Sequence, residues 1–274
     1  MKFRPLLKRI FNIVYILVMT VAVLVVIRYL VLFVALDTFH TPTQSMSPTI
    51  PPGYHGTVNK LKLGGRVFNF IAAAEGRPFS VSRLPGYGHL EKNDIIVFNA
   101  PWTDNWDSIA MNMRLYYCKR VVAVAGDTLE IRGGHYKVRG YDGTLGVPSE
   151  QDMVKAYVDH IRLTTPDSAR MGGSVYTIPY DTLLNWTIDE MGPLVVPAKG
   201  MTVKLDSLNL LIYRKYIEWE TGEKIPRGLP EYTFREDYCF AAGDHAVDSQ
   251  DSRYWGFLPE KFIVGTVPLN QKHK

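Results

Sequence analysis

Cysteine is nearly absent: Cys118 and Cys239 are the only two in 274 residues, which excludes a disulfide-dense scaffold. Whether those two pair depends on how close the fold brings them. No HExxH and no paired CxxC occurs, so nothing has the ligand spacing of a metal centre, and neither metal nor other cofactor is expected. There is no GxxxxGK[ST] phosphate cradle. A formal net charge of only +4 with no long Lys/Arg tract gives no footprint for a nucleic-acid partner. No internal repeat is visible. Acidic residues are missing altogether before Asp37, whereas Lys2, Arg4, Lys8 and Arg9 all fall at the start.

That basic start leads into an apolar run. Residues 11–27 contain only Asn12 and Thr20 as clearly polar members, Arg28 interrupts, and the run resumes to Leu36. As a helix, 11–27 spans roughly 25 Å and 11–36 roughly 39 Å, bracketing a hydrocarbon core of about 30 Å. One transmembrane helix is expected over 11–36, with Arg28 reaching toward the far interface. The stretch is apolar around its whole circumference, unlike a surface helix of a soluble core. No small-x-small site follows Leu36, so a cleaved secretory signal is disfavoured. The basic flank places residues 1–10 in the cytoplasm and 37–274 on the outer side.

Beyond the apolar run, short β-like segments dominate: 94–98, 116–125, 128–133, 135–140 and 262–269. Turn signals separate them, including Pro51-Pro52-Gly53, Gly126-Asp127, Gly133-Gly134 and Asp142-Gly143. The reading is a mainly β domain. Residues 66–90 look like a loop-rich excursion with an apolar patch at 67–74, more in keeping with a core element than a lipid contact. A helix is expected over 150–163 within a longer stretch of mixed character, 141–235.

Three segments carry chemistry: 41–53, 116–131 and 240–265. Singly, Ser45 reads as a turn serine, Lys119 as a strand lysine and Asp251/Arg253 as an ion pair. Together, Thr43-Gln44-Ser45-Met46-Ser47-Pro48-Thr49-Ile50, then Lys119-Arg120 with Gly126-Asp127, then Ser249-Gln250-Asp251-Ser252-Arg253-Tyr254-Trp255-Gly256 resemble, in order, the boxes of type I signal peptidases. The chain departs from that pattern at His245-Ala246-Val247-Asp248, where the family has Asn-Arg-Asp-Asn. His245 invites a Ser–His reading; a substitution in a structural loop fits better.

The resemblance implies an antiparallel β-barrel-like signal peptidase fold after one transmembrane α-helix, with a large α+β insertion. The catalytic β domain would comprise 37–140 and 236–274, and the inserted subdomain 141–235. It implies a membrane-bound serine endopeptidase at the inner (plasma) membrane that cleaves exported preproteins after a small-x-small site. Ser45 would be the nucleophile, Lys119 the general base, and Thr43 with the Ser45 N–H the oxyanion hole. Ser249 would orient the lysine, with Asp251 and Arg253 in support. A lysine is normally protonated, with a pKa of about 10.4, so Lys119 must be desolvated; Val121 and aromatic neighbours are candidate walls. Strand alternation should send Arg120 to the opposite face. Asp251 and Arg253, two apart on a strand, would share a face. Met46, Ile50 and Tyr117 are candidate walls of the substrate pocket. The working partners are preproteins and the lipid bilayer. A self-cleaving Ser/Lys repressor-like protein and an inactive anchored scaffold are the competing readings.

Overall fold

The computed structural model describes residues 3–77, 79–102, 107–164 and 175–268. The chain begins with helix α1, Phe3–Val34. Within it, Lys8–Leu32 has a mean hydropathy of 2.9 and none of it is covered by the rest of the protein. Its 25 residues measure roughly 37 Å, long and apolar enough to cross a bilayer. The expected boundary at Leu36 is slightly late, because Leu36 already opens a strand. The reason is a cap on the helix end. Lys60 donates from its backbone N–H to Ala35 O at 2.8 Å and from Nζ to Leu32 O at 2.9 Å. A cation there satisfies carbonyls that the helix leaves open and suits the negative end of its dipole.

The strands that follow are β1 Leu36–Thr41, β2 Tyr54–Asn59, β3 Arg66–Phe68, β4 Val81–Arg83, β5 Ile95–Ala100, β6 Asn112–Ala123, β7 Thr128–Arg132 and β8 His135–Val138. Later come β9 Glu190–Val195, β10 Thr202–Lys204, β11 Glu231–Thr233, β12 Tyr238–Ala242, β13 Leu258–Pro259 and β14 Ile263–Thr266. Seven of them form one sheet in the order β1-β2-β14-β5-β6-β12-β13. Every pairing in it is antiparallel, and β1 and β13 are its edges. The molecule is mainly β, with antiparallel sheets, as expected. All five strand segments read from the sequence contain strands, although β6 begins earlier than its apolar part. All six residues of β5 are buried, which explains why it reads as a continuous apolar run rather than an alternation.

A second sheet, β8-β7-β9, starts from a hairpin closed by Gly133-Gly134, both at positive φ, as a two-residue hairpin loop requires. Gly134 has a further reason: a Cβ there would lie 2.7 Å from Gln151 O and 2.8 Å from Val154 Cβ. Those residues belong to helix α3, Pro148–Thr164, which covers the expected 150–163. Strand β9 lies within 141–235 and β7 outside it. One core cluster unites Val122, Leu129 and Phe240 with Met191, Tyr213 and Ile217. Residues 141–235 therefore share both a sheet and a core with the segments on either side.

Helix α4, Ser207–Thr221, was not anticipated. Asp206 caps it, accepting from Asn209 N, and Gly222 ends it in the left-handed conformation. This Asp-before, Gly-after signature was present in the sequence. Between β3 and β4 a short helix α2, Phe70–Ala74, splits the 67–74 patch. Ala72 and Ala73 are buried, whereas Phe70 is 72% and Ile71 64% exposed.

Candidate active site

Ser45 sits in the connection from β1 to β2. That loop is closed by Gly53 N–H donating to Thr41 O at 2.7 Å, and tightened within by Ser47 N to Gln44 O and Ile50 N to Met46 O, both 2.8 Å. Met46 and Ile50, which follow the serine, are apolar plugs, 1% and 0% exposed, packed with Val58, Ile95, Val97 and Val264. Both were expected as pocket walls; their side chains are buried in this cluster, which holds the loop down. Burying both side chains pins the loop just after Ser45, which is itself half-buried.

Lys119 comes from the middle of β6, opposite Ile96 on β5, and is 1% exposed. Its Nζ is hydrogen-bonded to Ser45 Oγ at 2.5 Å and stands 5.5 Å from the centre of the Tyr117 ring. Val121, next on the same face, is fully buried. Burial pulls the Lys119 pKa down to about 8 against the attraction of the Asp251 carboxylate, because an ammonium loses its hydration there. Thr43 Oγ1 lies 3.5 Å from Ser45 Oγ. Serine, lysine and threonine hydroxyl are thus brought together as the spacing and resemblance suggested.

Arg120 does face the other way. Its guanidinium clasps Asp244 at 2.6 and 2.7 Å and reaches Asn93 O at 3.1 Å and Thr49 Oγ1 at 3.3 Å. It therefore ties the serine loop to the last box while keeping its charge off the lysine's face. Asp251 and Arg253 pair at 2.8 and 2.9 Å, both essentially without solvent exposure. They are not on a strand, which corrects the expectation. Asp251 is the N-cap of helix α5, Ser252–Trp255, and accepts from Arg253 N and from Gly243 N at 3.0 Å. Burial raises the Asp251 pKa, but the Arg253 charge and the hydrogen bonds outweigh it and hold the carboxyl below the usual range. A capping side chain and its partner two residues on can meet in a turn as readily as along a strand, and only the backbone decides which.

Ser249 is buried close to Ser45: any Cβ at Gly243 would collide with both Ser249 Oγ and Ser45 O. Ser249 Oγ has no hydrogen-bond partner among the described residues, so the bond to Lys119 suggested by resemblance is not made in this structure. His245 meets Ser45 through its backbone, N–H to Ser45 O at 3.2 Å. One clasp went unread in the sequence: Gln44 Nε2 donates to Asp248 Oδ2 at 2.7 Å. No local signal links two polar residues so far apart in the chain. Both cysteines are free. No cluster of three or more metal-ligating side chains occurs among the described residues.

A groove of about 570 Å³ runs between β1 and β6, lined by Phe39, His40, Val97, Tyr116 and Val264 among others. Val58, Val97 and Val264 floor it and also belong to the cluster that holds Met46. The Ser45 loop and the groove therefore share one apolar wall. Tyr117, half-buried, stacks on Phe98 with ring centres 6.1 Å apart.

The family model described as "Signal peptidase, peptidase S26" matches residues 10–270. Signal peptidase I of Buchnera aphidicola subsp. Acyrthosiphon pisum is 22% identical over 238 residues, covering 84% of this chain and 66% of that protein. Signal peptidase I of Haemophilus influenzae is 27% identical over 252 residues, covering 84% and 61%. The chain thus spans less than two thirds of the length of these two relatives. A crystal structure of a signal peptidase I from Enterococcus faecalis aligns with a TM-score of 0.28 at 16% identity, covering 66% of this chain and 97% of that one.

Proposed function

The chain belongs to the signal peptidase family, peptidase S26, and from that premise we propose that it is a membrane-anchored serine endopeptidase that removes signal peptides from exported preproteins. Ser45 is the nucleophile and Lys119 the general base. The observation that carries this reading is the 2.5 Å contact between Ser45 Oγ and a lysine nitrogen closed off from water.

The chemistry follows from proton positions. When Lys119 is neutral, the Ser45 hydroxyl donates to Nζ, and attack of Oγ on the scissile carbonyl transfers that proton to the amine. The C–O bond forms as the carbonyl pair moves onto oxygen, where the Thr43 hydroxyl and the Ser45 N–H serve as donors. The Lys119 ammonium returns the proton to the departing amine, the C–N bond breaks, and an acyl-enzyme on Ser45 remains. Water activated by the same lysine then releases the signal peptide as a carboxylate.

The groove between β1 and β6 suits an extended chain, since β1 is an edge strand whose free backbone groups can pair with a peptide. Its shared wall with Met46 leaves little depth at the nucleophile, consistent with a small side chain before the cut bond and a small-x-small site. Met46 and Ile50 act from beneath as the floor, and Tyr117 stands beside the lysine. The N-terminus is cytoplasmic and the catalytic part lies outside the inner membrane, on the basic flank of α1. Ser45 follows Val34 by few residues, so even an extended link holds it within about 35–40 Å of the helix end, where a membrane-held substrate presents its cleavage site.

The test is cleavage of a preprotein carrying an Ala-x-Ala site by the full-length chain, with Ser45→Ala and Lys119→Ala alongside. Cutting after the final alanine that both substitutions abolish is expected. Cutting that survives Lys119→Ala moves the base elsewhere, and a folded wild type that cuts nothing refutes the peptidase reading.

A further inference from the structure

Strands β3 and β4 set Arg66 directly opposite Arg83. Like charges facing each other across a strand pair are unfavourable, and these two are also half-buried. Arg83 donates to Gly64 O at 2.9 Å, to Glu260 O at 2.8 Å and to Ile263 O. Arg66 donates through Nη1 to Asn99 Oδ1 at 2.8 Å and Phe262 O at 3.2 Å. Every one of these acceptors is neutral. Among the described residues neither arginine forms an ion pair, and Nε and Nη2 of Arg66 have no acceptor. Burial lowers both guanidinium pKa values to about 10, with the charge of Arg66 adding to the effect at Arg83. The carboxylate nearest Arg83, that of Glu260, is itself pushed up to about 7 by burial and by Asp237, so it is an incomplete counter-charge at neutral pH.

Arg66 lines the groove together with Asp37, Lys60, Phe68 and Phe70. Asp37, the carboxylate at this end, is engaged by Lys60 at 2.9 Å. Lys60 also caps the last turns of α1 at Leu32 O, so this cationic end of the groove abuts the end of the apolar span. Lipid phosphates lie at that level of a bilayer. Directly after β3, Phe70 and Ile71 stand 72% and 64% exposed, suited to the boundary between headgroups and acyl chains.

We propose that Arg66, backed by Arg83 and flanked by Lys60, binds the phosphate of an anionic membrane lipid at the anchor-side mouth of the groove, with Phe70 and Ile71 against its acyl chains. The unused Nε and Nη2 of a guanidinium form the planar fork that grips two phosphate oxygens. The bound phosphate offsets one of the two opposed arginine charges and seats the β3–α2–β4 flap on the bilayer. It rests on α1 being a membrane anchor and not on the peptidase reading.

The experiment is calorimetric titration of the full chain in nonionic detergent with dihexanoyl phosphatidylglycerol and, separately, with inorganic phosphate. Short-chain lipid is expected to bind at least tenfold more tightly than phosphate. Arg66→Gln should weaken it by about tenfold or more, the scale of a lost charge-assisted pair, and Arg66→Lys by less. Phe70→Ser, at an exposed position that leaves the fold intact, should weaken the lipid and leave phosphate binding unchanged. Equal affinity for lipid and phosphate, both lost in Arg66→Gln, makes this a free-phosphate site and overturns the lipid assignment. Lipid binding that is absent in the wild type, unchanged in a folded Arg66→Gln, or unchanged in Phe70→Ser overturns it as well. No cleavage is read, so failure here is separate from failure of the peptidase reading.

Discussion

Two lysines in this molecule have nearly the same electrostatic setting and opposite chemical prospects. Lys119 on β6 and Lys215 on α4 are both brought down to a pKa of about 8 by burial. Each stands a little over 5 Å from the ring of a tyrosine one or two positions away in sequence, 5.5 Å for Tyr117 and 5.3 Å for Tyr216. Each hydrogen-bonds to a segment that builds the site. The difference is the atom at the other end. Lys119 meets a serine hydroxyl, which has a proton to give, whereas Lys215 donates to the carbonyl of Trp255 at 2.8 Å, which accepts only. A depressed pKa makes a lysine available as a base; the partner determines whether it has anything to deprotonate.

The sharpest break of this comparison is to replace each amine by a thioether of similar length. Lys119→Met should lower turnover of an Ala-x-Ala preprotein by about 10⁴, the upper range for loss of a general base. Lys215→Met should stay within about threefold, as a substitution away from the chemistry. Comparable losses in the two variants would erase the distinction.

Next in size is the support beneath Lys119. Arg253→Met leaves the Asp251 carboxylate buried and unpaired, and should cost about 3–5 kcal/mol of stability, read as a lower urea midpoint for the full chain in detergent. In the same assay Lys215→Met, which removes a buried cation rather than stranding one, should move the midpoint far less.

Thr43→Val tests the hydroxyl side. Losing one oxyanion donor lowers kcat by about 10²–10³, with KM little changed. A KM effect alone would make Thr43 a substrate contact.

The smallest effect is the pH profile. The reactive form is neutral Lys119, whose pKa lies at about 8, so kcat/KM should rise with pH, about tenfold per unit below that value, and level off above it. Lys215→Met should leave the midpoint in place even though Lys215 titrates in the same range. A midpoint that moves with Lys215 assigns the titration to the wrong lysine.

Helix α1 was the most legible element, because a helix apolar on all sides needs no partner to be recognised. The strands around 94–98 and 116–125 were legible from apolar runs and turn punctuation, both local signals. Helix α4 was legible in principle from Asp206 and Gly222, but its apolar residues, buried as Tyr213, Tyr216 and Ile217, were hidden among aromatic residues that also suit strands. The site was legible only as a combination: Ser45, Lys119 and Asp251/Arg253 are each ordinary alone. The burial of Met46 and Ile50 was not legible, because an apolar side chain in a loop can face either solvent-side space or the core.

By itself the sequence determined which chemical groups are available and which segments are strand, turn or membrane helix, since those depend on neighbours within a few residues. Only the tertiary structure decided that β14 inserts between β2 and β5. It also decided that Asp251 caps a helix, and that residues 74 positions apart meet at 2.5 Å in a place closed to water. That last point lowers the lysine's pKa to about 8. Desolvation is a property of everything packed around a charge, and no stretch of chain can desolvate itself.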